Sequence, residues 1–156
     1  VTCGFDQQWT GFSLSTGIGI DGNNDHVYFS PGVNNRVLMY DGAAWNEIGS
    51  LSNGIMSPPE DAVANRTGTV FAVSQSTLYQ KNGPTWDPIV TGIDRSFSIA
   101  VDDSDRLYLA VWGNGSVMRC DGATWTKGIE GLDSPVGIAV DEGGTSTSAS
   151  RTATIS

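Results

Sequence analysis

A repeat of about 39 residues runs through the 156 positions of this chain, and it constrains the fold more than any other feature. Three segments carry the same hairpin: YDGAAWNEIG at 40–49, KNGPTWDPIV at 81–90 and CDGATWTKGI at 120–129. Their tryptophans, Trp45, Trp86 and Trp125, stand 41 and 39 residues apart. A weaker copy, FDQQWTGF at 5–12, places Trp9 36 residues ahead of Trp45. A second unit alternates with the first: GIGIDGNNDHVYFS at 17–30, DAVANRTGTVFAVS at 61–74, SIAVDDSDRLYLAV at 98–111 and GIAVDEGG at 137–144.

Each repeat reads as strands and tight turns. A short run of small apolar residues (Ile18 to Ile20, Ala62 to Ala64, Ile99 to Val101, Ile138 to Val140) ends at Asp or Asn. A polar turn follows, then an apolar-aromatic run such as Leu107-Tyr108-Leu109, then a loop and a third run. An Asp-Gly or Asn-Gly pair, which supplies the positive φ of a tight hairpin, leads into a fourth run that holds the tryptophan. No segment keeps a 3.6-residue period, so almost no helix is expected. Four antiparallel strands per 40-residue unit, repeated, specify an all-β chain, a β-propeller of four-stranded blades. The small first run suits the innermost strand, where blades crowd the axis. A sandwich or a solenoid is the competing reading, and the sandwich does not account for a period near 40 with one tryptophan per period.

The motif GIAVD-turn-RLYLAV-loop-VMRCDG-turn-W resembles NHL-type and related bacterial propeller repeats over residues 1–144. The resemblance implies architecture and leaves function open, because that family holds binding modules, lyases and lactonases alike. CDGATW at 120–125 is also similar to a hairpin of fungal and bacterial propeller lectins. The arginine and glutamate that those lectins add in each blade do not recur here.

The repeat expects one domain over 1–156, with blades at 17–50, 60–90 and 97–128 and a composite blade from 136–156 plus 1–12. Pairing of the two ends would close a four-bladed ring and remove its open sheet edges. The alternative is two chains forming one eight-bladed ring, so the chain is expected as a monomer or a homodimer. It starts at Val1 rather than Met, which reads as a processed chain or a piece of one. The tail TSTSASRTATIS at 145–156 puts Ser146 and Thr147 where the repeat calls for an apolar and an aromatic residue. One reading is a divergent, Thr-rich strand or a polar linker. Another is a frameshift after Gly144: Thr-Ser-Thr-Ser read one base early can encode Asp-Leu-Tyr-Ile, which restores the pattern. On that reading the chain is a self-assembling fragment of a longer propeller without an evolved function of its own.

Charge narrows the partners. Seventeen acids against eight bases give a net charge of -9, which argues against nucleic acid and against polybasic membrane attachment. No apolar run approaches the ~18 residues that span a bilayer. The expected partner is a small molecule or a glycan.

Candidate chemistry is sparse. Asp21-Gly-Asn-Asn-Asp25 and Asp102-Asp-Ser-Asp105 have the alternating oxygens of a calcium loop, but the distal glutamate is missing and Asp and Asn serve the turn itself. No cofactor is therefore expected, with calcium the one candidate. His26 is the only histidine and has no nucleophile motif beside it. Cys3 and Cys120 sit in third strands of different repeats, too far apart for a disulfide, and leave the redox compartment open. The recurring tryptophans are expected to be structural. Trp112 is different, because Pro31 and Ser74-Gln75 stand at its place in the other repeats. It opens a WGNGS loop on one rim, and Asn114, Asp94, Arg95 and Asp133 belong to the same rim. The long connection at 49–61, stiffened by Pro58-Pro59, is a candidate lid or partner surface.

The expected function is non-catalytic binding or scaffolding, with a carbohydrate at Trp112 as its concrete form. The enzymatic alternative is an NHL-like hydrolase or lyase using Asp94, Asp133 or His26 around a divalent cation.

Overall fold

The computed structural model of the chain describes residues 15–21, 24–31, 35–55, 57–122, 124–141 and 146–150. Among these, strands alternate with short turns, and the only helix is a single 3-10 turn at Leu51–Asn53. The first sheet contains β1 (Ser15–Asp21), β2 (His26–Pro31), β3 (Val37–Tyr40) and β4 (Trp45–Gly49). The second contains β5 (Asp61–Ala64), β6 (Val70–Ser74), β7 (Thr77–Asn82) and β8 (Thr85–Thr91). The third contains β9 (Ser96–Val101), β10 (Leu107–Val111), β11 (Ser116–Asp121) and β12 (Thr124–Ile129). In each sheet the strands pair antiparallel in sequence order. A hairpin of β13 (Pro135–Val140) and β14 (Ser146–Ser150) follows. The chain is all-β, a β-propeller built from four-stranded antiparallel blades.

The inner strands stand side by side, β5 next to β1 and β9, and β9 next to β13. Side chains alternate across a strand, so each inner strand serves two interfaces. Ala62 and Ala64 pack toward the first blade with Tyr28, Val37 and Trp86. Val63 points the other way and packs with Ile99, Leu107 and Leu109 of the third blade. The small apolar runs follow from this crowding. A Cβ on Gly17 would collide with Asp61, and one on Gly19 with the Ala62 carbonyl.

Polar pairs cross the same interfaces. Asp61 Oδ2 accepts from Ser98 Oγ at 2.9 Å and from the Ile99 amide at 3.1 Å, and Ser98 Oγ in turn accepts from the Ile138 amide at 3.4 Å. Trp86 is 2% exposed and donates its indole N–H to the Ile48 carbonyl of the first blade at 2.7 Å. Cys120 is a free, buried thiol, and burial together with the nearby Asp121 charge raises its pKa.

One expectation changes here. The connection at 49–61 is a packed wedge between blades rather than a lid. Ile55 is fully buried, Pro59 is buried, Ser57 bonds Ser74, and Gly54 adopts φ +116° with its backbone against Trp86. Residues 146–150 of the Thr-rich tail form a strand in the register of the repeat, as the divergent-strand reading expects. Val140 pairs with Ser146 and Ala139 with Thr147, as Val101 pairs with Leu107 and Ala100 with Tyr108. End pairing through residues 1–12, and with it Cys3 and Trp9, lies outside the described residues.

Candidate functional site

Strand direction places the loop after each second strand and the connection entering each first strand on one rim. At the third blade three such segments meet. The Trp112 amide donates to the Arg95 carbonyl at 2.7 Å, and the Gly113 amide to the Asp94 carbonyl at 2.8 Å. The Leu132 amide reaches the Gly115 carbonyl at 2.9 Å, which brings the 130–134 connection alongside. On the far side the Ser96 amide bonds the Gln75 carbonyl at 2.7 Å, tying in the second blade. Gly113 is required at this point, because a Cβ there would overlap Asp94.

The sequence-expected rim residues fall as follows. Trp112 is half-buried. Its indole meets Phe97 edge to face at 6.4 Å between centroids, and the Arg95 guanidinium stacks 5.2 Å from its ring centre. Cation–π pairing of this kind contributes about 0.5–1 kcal/mol at an exposed site. Arg95 itself sits in the left-handed region at φ 62°, as does Ser134, which likewise precedes an inner strand, at φ 53°. Asp94 is exposed beside Gly113. Asn114 Oδ1 accepts from Ser116 Oγ at 2.5 Å, and Asp133 Oδ1 accepts from Ser134 Oγ at 3.1 Å. Asp94, Arg95 and Trp112 therefore form one group, with Asn114 in the same loop and Asp133 next to the Leu132 bridge. Phe97 and Glu60 belong to the neighbourhood although the sequence did not single them out. Burial raises the Glu60 carboxyl pKa, and the Arg95 charge opposes that rise. Both residues flank the start of an inner strand, the one signal that could have placed them on this rim.

His26 lies at the other end of the blades. It pairs with Asp21 at the turn between β1 and β2 and contacts Tyr28 edge-on at 6.5 Å. The fold does not bring it to Asp94 or Asp133. Among the described residues, no three His, Cys, Asp or Glu side chains gather as a metal-binding group. The acidic turns have local employment. Asp102 accepts from the Ser104 and Arg106 amides at 2.9 and 3.0 Å, from Arg106 Nε at 2.7 Å and from Tyr108 Oη at 2.9 Å. Burial pushes the Asp102 carboxyl up, but these donors prevail and hold it below the ordinary carboxylate range. Asp21 accepts from Asn24 at 2.9 Å. Burial, with the Asp21 charge adding to it, pushes Tyr28 up to about 12.

Two clefts open between blades on the His26 side. One of about 480 Å³ lies between the first and second blades, lined by residues including His26, Tyr28, Thr69 and Lys81. Its counterpart of about 450 Å³ between the second and third blades is lined by residues including Phe71, Leu107, Cys120 and Trp125. Trp125 stands half-buried there, whereas its repeat equivalent Trp86 is sealed within an interface.

No protein-family model and no curated protein sequence matches the chain. Solved structures do. The chain is similar to a structure of a nidogen/laminin complex at TM-score 0.72 and 17% identity, over 83% of this chain and 54% of that one. It is similar to a putative gluconolactonase at TM-score 0.71 and 16% identity, over 90% and 57%. It is similar to a streptogramin B lyase at TM-score 0.71 and 15% identity, over 90% and 49%. These neighbours are β-propellers, and the likeness is one of fold. The chain spans about half the length of the solved structures it matches.

Proposed function

We propose that this chain is a non-catalytic binding propeller that takes a neutral carbohydrate on the rim around Trp112. The supporting observation is the Trp112 group itself. A half-exposed indole is held in place by Phe97 and Arg95, with the Asp94 side chain and the Asn114 loop around it. Sugars present an apolar face of C–H groups and a rim of hydroxyls. A fixed aromatic plane with charged and amide groups nearby matches both. The acidic balance of the chain favours a neutral over a phosphorylated ligand.

Neutral glycans presented on an array, followed by calorimetry on any that bind, test this reading. Trp112→Ala is expected to weaken binding at least tenfold while leaving the fold intact, and Arg95→Ala to weaken it less. Unchanged affinity in Trp112→Ala would discard the rim as the site.

A further inference from the structure

We infer that the cleft between the second and third blades binds a small organic ammonium ion, its charge at Asp105 and its apolar part against Trp125. The equivalent cleft between the first and second blades shows how the repeat fills such a place from within. There Lys81 lines the space and donates to the Gly83 carbonyl, and Asp21 of the first blade lines it too. Both signs of charge come from the chain itself. In the second cleft Cys120 and Gly122 stand at the places of Lys81 and Gly83, as CDGATW aligns with KNGPTW. The ammonium is gone. At the turn between the first two strands of the blade the exchange runs the other way, with Asp105 where the second blade has Gly68. Asp105 is exposed, and among the described residues that line this cleft it is the one charged side chain. The bases of the neighbouring turns and strands are engaged elsewhere: Arg66 with Asp103, Arg106 with Asp102 and Arg119 with Asp121. A carboxylate beside apolar walls, facing no cation of the chain's own, complements an ammonium ion.

The apolar half of the site comes from a seal that this interface lacks. Between the first and second blades Trp86 enters over Gly49, where a Cβ would stand 3.0 Å from Trp86 Nε1 and 2.9 Å from Ile55. Val90 takes the place of Gly49 in the second blade, because Leu78 pairs with Val90 as Val37 pairs with Gly49. Its side chain occupies the space that an indole would need. The connection that packs on Trp86 runs through residues 50–60, whereas its counterpart holds only residues 92–95. Trp125 therefore stays half-buried at a cleft of about 450 Å³, with Phe71, Ile89 and Leu107 as further apolar walls. That volume falls within the range of about 300–1,000 Å³ found for small-molecule sites. An indole face beside a carboxylate attracts a cation through its quadrupole, and the apolar walls take the hydrocarbon part out of water.

Calorimetry on the 156-residue chain tests this with phenethylammonium, and with phenethyl alcohol and hydrocinnamate as its neutral and anionic counterparts. Phenethylammonium is expected to bind once per chain and hydrocinnamate not at all. The alcohol is expected to bind about fivefold more weakly than the ammonium, the worth of one exposed charge pair. Asp105→Gly, which restores the residue of the second blade at a left-handed turn position (φ 60°), is expected to lower phenethylammonium to the affinity of the alcohol. Cys120→Lys, which restores the chain's own ammonium, is expected to abolish binding. Trp112→Ala is expected to bind phenethylammonium as the parent does, which separates this cleft from the rim. No heat with phenethylammonium overturns the inference, and so does equal affinity for the ammonium and the alcohol, or parent affinity in Asp105→Gly. Loss of binding in Trp112→Ala assigns the ion to the rim, with the same consequence. Where Cys120→Lys loses the β-sheet circular dichroism of the parent, Asp105→Gly decides alone.

Discussion

Asp61 stands at a position occupied by Gly17, Ser98 and Gly137 in the other repeats, and it carries a charge into the crowded axis. Burial pushes its carboxyl up to about 6, against the donors Ile99 N–H, Ser98 Oγ–H and Ala62 N–H. Because the folded protein holds this proton more tightly than the unfolded chain, its contribution favours folding below the ordinary carboxylate pKa. Stability is then lost as the pH rises from about 4 to about 6. A shift of roughly two units corresponds to about 3 kcal/mol. Urea unfolding between pH 4 and pH 7.5 is expected to show this decline in the parent. Asp61→Asn, which keeps an acceptor for Ser98 and Ile99, is expected to flatten the profile and to be the more stable at pH 7.5. The Asx turns follow a related logic. Asp102 takes a hydrogen bond from the Tyr108 hydroxyl at 2.9 Å, whereas the second blade has Asn65 and Phe71 at the corresponding places, losing charge and hydroxyl together. Tyr108→Phe should therefore cost about 1.5–3 kcal/mol by thermal or chemical denaturation, the range for a hydrogen bond to a charged group.

At the scale of elements, the hairpins were legible because their chemistry is local. Asp41 Oδ1 accepts from the Ala43 and Ala44 amides at 2.9 and 2.8 Å, and Asn82 reaches Asp87 at 2.8 Å, so the turn residues close their own turns. The small inner runs were legible because crowding between blades imposes small side chains once in every period. Connections between blades were not. Residues 49–61 read as a candidate lid or partner surface, yet Ile55 and the Trp86 backbone turn the connection into an interface, which depends on a residue more than thirty positions away. Gly54→Ala is expected to destabilise by more than 2 kcal/mol in denaturant titration, since it must hold φ +116° and bring a Cβ onto the Trp86 carbonyl. The rim group was half legible. Trp112 stood out by breaking the repeat, while Phe97 and Glu60 carried no comparable mark.

For the whole molecule, the repeat predicted blades and the structure adds their fan. Three complete blades and a hairpin form an arc whose inner strands pack side by side, with Ile18 and Ile20 of β1 and Val136 and Ala139 of β13 exposed. The sequence by itself determined the all-β blade architecture, the turns and the identity of the innermost strands. Each of these rests on period, turn chemistry and side-chain size, which can be read from residue types and their spacing alone. Only the tertiary structure decided that residues 49–61 are a wedge, that Asp61 is buried and protonates near pH 6, that Arg95 stacks on Trp112, and that His26 lies at the opposite rim. Those outcomes depend on the angle between blades, a quantity set by packing across interfaces and written in no single segment of the chain.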